Sequence, residues 1–162
     1  MDTGPLLLQE AVRIERDEIY GTLHDRLAQL GATLLSRALE LATRGELHPY
    51  PQTGEPSVTR PLSKDDLQLN WSRSAQEIVN TIRAFSPEPA ARAAIGGVHV
   101  KILRAREFES AQGGVRAGEF FERDDALLIA CGDGAVEIEE VIPASRGRIS
   151  GQKFKALLKR AR

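Results

Sequence analysis

The chain has 162 residues, with 22 Lys+Arg against 23 Asp+Glu, three His, one Cys, and 41% hydrophobic but only 5% aromatic residues, a length suited to one ordinary domain or a small domain with a substantial appendage. A lone Cys131 excludes an internal disulfide framework and a cysteine-rich zinc module and points to a reducing compartment. No apolar run reaches the roughly 20 residues of a membrane span, Met1-Asp2-Thr3-Gly4-Pro5 lacks the basic and apolar regions of a secretory signal, and the net charge of -1 speaks against whole-chain nucleic-acid binding; a cytoplasmic protein with no membrane partner is expected.

Leu6 to Ile14 mixes an apolar run with an alternating one and reads as a strand. A helix follows: Thr22 is its candidate N-cap, Leu23, Leu27, Leu30, Leu34, Ala38 and Leu41 recur at spacings of three and four, and Arg44-Gly45 suits its end. Residues 46–66 carry Pro49, Pro51, Pro56 and Pro61 among polar residues, which predicts an extended connector. Ser74-Ala75-Gln76-Glu77 is a capping box opening a helix whose buried stripe is Ile78, Val79, Ile82 and Phe85, and Pro87 and Pro89 forbid its continuation.

From Gly96 the period shortens to two. Val98, Val100 and Ile102 alternate with His99 and Lys101, Ala126 to Cys131 is a compact apolar run, and Val136, Ile138 and Val141 resume after the Gly132-Asp133-Gly134 turn. Gly113-Gly114 marks another turn. Several short strands between glycine turns suggest a small barrel or sandwich. Ser150 is the candidate cap of a last helix that carries Phe154, Leu157 and Leu158 inward and its lysines outward.

Charge is unevenly spread along this order. Residues 1–45 hold seven acids and five bases, whereas from Ile142 onward there are seven bases and no acid. A basic end of this kind is either a solubilising tail or a phosphate-binding surface. The remaining chemistry-bearing residues read as structural. His24, His48 and His99 have no metal-ligand spacing, so no metal site is expected. The Gly132-Asp133-Gly134 segment lacks the Lys-Ser/Thr of a phosphate loop, Cys131 reads as a small buried hydrophobe, and Trp71 reads as a packing anchor.

Taken in order, Met1-Asp2-Thr3-Gly4-Pro5-Leu6-Leu7, Leu23-His24-Asp25-Arg26-Leu27-Ala28, Pro51-Gln52-Thr53-Gly54, Leu62-Ser63-Lys64-Asp65-Asp66, Ile82-Arg83-Ala84-Phe85-Ser86-Pro87, Lys101-Ile102-Leu103-Arg104-Ala105 and Cys131-Gly132-Asp133-Gly134 with Val141-Ile142-Pro143-Ala144 resemble the carboxy-terminal half of the methionyl-tRNA formyltransferase family over essentially the whole chain. The resemblance implies an α+β chain in three parts. Residues 1–45 would be the terminal strand and helix of a Rossmann-like formyltransferase domain, residues 46–66 a linker, and residues 67–162 a small OB-like β-barrel with flanking helices that binds initiator methionyl-tRNA.

The family transfers a formyl group from 10-formyltetrahydrofolate to the methionine amine with an Asn, a His and an Asp. The matching motif places the Asp on Asp2, and the Asn and His would lie upstream of it. The chain alone is therefore expected to need no cofactor and to carry out no formyl transfer. The implied tRNA contacts are Arg60, Lys64, Arg146, Arg148, Lys153 and Lys155. A subunit of a split enzyme completed by a separate catalytic chain, and a truncated remnant without function, are the alternatives; an amino-sugar formyltransferase is a more distant one.

Overall fold

The computed structural model describes residues 3–108 and 114–160. The chain divides into two compact units, Met1–Glu18 with Thr22–Pro61, and Ile19–Gly21 with Leu62–Arg162.

The first unit is built on helix α1 (Tyr20–Thr43), which begins in the second unit. The helix starts two residues before the expected cap, so Thr22 lies inside it. Its end matches expectation in detail: Glu46 N–H donates to Leu41 O at 2.9 Å and Gly45 N–H to Ala42 O at 3.1 Å, with Gly45 at φ 70°. This reciprocal closure requires the left-handed backbone that glycine supplies. Of its apolar face, Ala38 is buried, Leu23, Leu30, Leu34 and Leu41 are half-buried, and Leu27, Leu35 and Leu39 are exposed.

The strand expected over residues 6–14 does not form. Leu6 exchanges backbone hydrogen bonds with Tyr50 at 2.8 and 3.0 Å in a single isolated bridge, and residues 7–15 are irregular. Alternation selects a strand only where a neighbouring strand takes up its backbone groups, and Tyr50 alone does so among the described residues. Residues 51–64 run without regular structure, as Pro51, Pro56 and Pro61 favour.

The second unit combines helix α2 (Ala75–Phe85), strands β1 (Ala91–Ile95), β2 (Val98–Phe108), β3 (Phe120–Arg123), β4 (Ala126–Ala130), β5 (Ala135–Pro143) and β6 (Ile149–Ser150), and helix α3 (Gly151–Arg160). Its strands pair antiparallel in the order β1-β2-β5-β4-β3, with β6 on β5. The sheet is open, with β1 and β3 at its two ends, so the closed barrel expected from the strand spacing is not seen among the described residues.

Inward residues of the sheet, among them Ile95, Val100, Ile102, Leu127, Ile129, Val136, Ile138 and Val141, pack with Ile78, Val79 and Ile82 of α2 and Phe154 and Leu158 of α3. Each such large side chain contributes about 1.5–3 kcal/mol by leaving water. Trp71 is packed against this core, as its anchor reading requires.

The capping box is complete: Ser74 Oγ accepts from Glu77 N–H at 3.2 Å, and Glu77 Oε2 accepts from Ser74 N–H at 3.2 Å. Hydrogen bonds from Ser74, its backbone N–H first and then its hydroxyl, hold the Glu77 carboxyl below its ordinary range. The turn Cys131–Gly134 supplies a further cap, because Asp133 Oδ1 accepts from Ala75 N–H at 2.8 Å. Gly132 is required there by space: a Cβ would lie 2.3 Å from Ser72 O. Gly113 lies outside the described residues; Gly114 has φ 87°.

Candidate nucleic-acid interface

The basic end begins with the turn that leaves β5. Arg146 N–H donates to Pro143 O at 3.1 Å and Ala144 N–H to His99 O at 3.0 Å, which folds residues 143–146 back over β2 and leaves Arg146 exposed. Arg148 follows at once and is committed differently. Its Nη2 donates to Glu140 Oε2 at 2.6 Å while Nε donates to Glu140 Oε1, a two-pronged clamp that raises the guanidinium pKa through the hydrogen bonds to Glu140.

Helix α3 carries the other two expected contacts on different faces. Ser150, although the last residue of β6, accepts from Lys153 N–H at 3.3 Å and so performs the capping role read from the sequence. Gly151 lets the helix start hard against the sheet, since a Cβ would sit 1.8 Å from Ile138 O. Lys153 is exposed with no carboxylate in ion-pair reach among the described residues.

Lys155 departs from the expected outward orientation: it is buried, and its ammonium donates to Asp125 O at 2.7 Å and Asp125 Oδ1 at 3.0 Å. Asp124 and Asp125 form the two-residue turn between β3 and β4, with φ of 48° and 67°. The hydrogen bond from Lys155 is the largest cause that holds the Asp125 carboxyl below its ordinary range. Lys159 pairs with Glu122 at 2.7 Å. Elsewhere in the second unit, Lys64 is exposed before a 3-10 turn at Asp65–Leu67. In the first unit, Arg60 is exposed and donates to Pro61 O at 3.2 Å. Asp2 lies outside the described residues.

Two cations absent from the expected set face a groove of 780 Å³ between Gln68, β1, β2 and the turn after β5. Arg92 stands between inward Ala91 and Ala93, and Lys101 between inward Val100 and Ile102. The alternation that hides their neighbours turns both outward, and the β1–β2 register sets them directly opposite each other. Arg146 and His99 share the groove. Alternating polar positions in the strands were the signal for Arg92 and Lys101, but only the register places them side by side. No group of three or more His, Cys, Asp or Glu side chains able to hold a metal is found among the described residues. Cys131 is half-buried, and burial pushes its thiol pKa up, away from nucleophilic duty.

Residues 61–158 match the family described as formyl transferase, C-terminal domain. A methionyl-tRNA formyltransferase of Dinoroseobacter shibae is 45% identical over 148 residues, covering 90% of this chain and 46% of that protein. The protein of the same name from Pelotomaculum thermopropionicum is 37% identical over 155 residues, covering 95% of this chain and 50% of that protein. Among solved structures, a substituted variant of HypX from Aquifex aeolicus superposes with a TM-score of 0.74 at 20% identity, over 98% of this chain and 29% of HypX, a likeness of fold. The chain spans about half the length of the curated relatives it matches. With its matched domain on an open antiparallel sheet flanked by α2 and α3, the chain belongs to the formyl transferase C-terminal domain family and corresponds to the carboxy-terminal half of methionyl-tRNA formyltransferases.

Proposed function

We propose that this chain is the tRNA-holding part of a methionyl-tRNA formyltransferase. In this reading residues 67–162 are the OB-like tRNA-binding module, residues 46–66 the linker, and residues 1–45 the end of the Rossmann-like catalytic domain. The partner is initiator methionyl-tRNA, held in the cytoplasm for N-formylation at the start of translation. The observation that carries the reading is the acid-free stretch from Ile142, in which Arg146 and Lys153 stand exposed with no carboxylate partner among the described residues. Cations left unneutralised by the protein's own acids attract phosphate and release its counterions. Arg60 in the first unit and Lys64 in the second are further contacts of this reading, each on its own unit, and Arg148 and Lys155 act mainly through Glu140 and Asp125.

The formyl donor of the whole protein is 10-formyltetrahydrofolate in this reading. The basic groove does not suit it, offering a pterin neither a carboxylate nor an aromatic wall. No step through folate is assigned to the described residues. Asp2 joins an Asn and a His supplied by the rest of the protein or by a separate catalytic chain. A filter-binding titration with initiator tRNA tests the reading: affinity should fall steeply between 50 and 200 mM salt, and salt-independent or undetectable binding at low salt would overturn it.

A further inference from the structure

We propose that the groove of Arg92, Lys101 and Arg146 is a binding site for an RNA backbone phosphodiester. The proposal rests on the tRNA-holding role and names where on the second unit the RNA is gripped. Three observations converge on it. First, Arg92 and Lys101 are directly paired across β1 and β2, and like charges in that position repel. Among the described residues nothing in the groove answers them, because its lining holds two arginines, a lysine and a histidine and no acid. Second, Arg92 Nε is buried with no hydrogen-bond partner among the described residues, and a buried charged donor without an acceptor is a costly arrangement.

Third, the same sheet does neutralise cations where they are structural. Arg106 of β2 is bound by Glu137 of β5 at 2.7 Å, and Arg148, in the turn before β6, by Glu140 of β5. Absence of an acid at Arg92, Lys101 and Arg146 is therefore local to the groove. An anion with several acceptor oxygens would relieve the repulsion between the paired cations. Gln68, bridged to Arg92 in the adjoining backbone row, adds a neutral carboxamide of the kind a ribose hydroxyl bonds. A phosphate flanked by ribose suits this lining, with the cations on the phosphate and the amide beside it.

The test uses the full chain with inorganic phosphate and an initiator tRNA transcript as probes. Arg92→Gln/Lys101→Gln should bind tRNA at least tenfold more weakly than wild type at 100 mM salt, and its salt slope should flatten by about 1.5 for two lost phosphate contacts. The readout that does not depend on the variant's folding is the Arg92 Nε–Hε resonance of the wild-type chain, which should move on adding tRNA and, more weakly, phosphate. Unchanged tRNA affinity in the folded double variant, or a stationary Arg92 resonance while tRNA binds, overturns the groove and leaves the tRNA-holding role standing. A resonance that moves with phosphate in a chain that does not bind tRNA overturns both the RNA assignment of the groove and the tRNA-holding role.

Discussion

Two sets of cations lie on the second unit, and they differ in what faces them. Arg148, Lys155 and Lys159 end against Glu140, Asp125 and Glu122, whereas Arg92, Lys101 and Arg146 end against no acid among the described residues. The first set belongs wholly to the basic end that draws the eye in the sequence; the second straddles it and the strands. Local charge density is thus a poor guide to available charge. A cation already paired inside the fold gains little from a phosphate, because the existing pair must first be broken.

The largest effect that sharpens this contrast concerns Lys155. Its stem is buried, so Lys155→Ala should cost about 2 kcal/mol through lost packing, measured by urea unfolding, while the folded variant keeps its tRNA affinity within twofold. Next comes Arg146→Glu, which should weaken tRNA binding about tenfold, or about 1.4 kcal/mol, in a filter assay without altering the melting temperature. Equal losses of affinity in these two variants would erase the distinction between the sets.

A smaller and more pointed effect comes from freeing a clamped cation. Glu140→Gln should release Arg148 and raise tRNA affinity two- to threefold, whereas Arg148→Ala alone should leave it within twofold. The smallest effect is acid sensitivity. Asp125 has its carboxyl depressed in the folded chain, so its contribution is complete above its unfolded value and is lost as pH falls through the folded one. Wild-type stability should therefore fall more steeply below about pH 4 than that of Asp125→Asn, with a constant gap above about pH 5. Parallel acid profiles would show that Lys155 does not hold Asp125 in solution.

What could be read in advance follows from how local its cause is. The Ser74–Glu77 capping box and the Gly45 helix end are closed by bonds spanning three to five residues, and both appear as read. The Gly132-Asp133-Gly134 turn was legible as a turn, yet the need for Gly132 comes from Ser72, sixty residues earlier. Leu6 to Ile14 carried a strand pattern, but no neighbouring strand among the described residues takes it up. Lys155 looked outward on a helix flanked by Phe154 and Leu158, and its burial is decided by the β3–β4 turn thirty residues away. Arg92 and Lys101 were visible as polar positions in alternating strands. Their confrontation depends on a register that no short segment specifies.

The salt dependence of initiator tRNA binding by the wild-type chain bears most directly on the claim that unpaired cations hold the RNA. With Arg92, Lys101, Arg146 and Lys153 of the second unit engaged, and Lys64 contributing, the logarithm of the binding constant should fall against the logarithm of salt with a slope of roughly -3 to -4.5. A slope flatter than about -1 would mean that almost no phosphate is neutralised on binding, and would contradict the account.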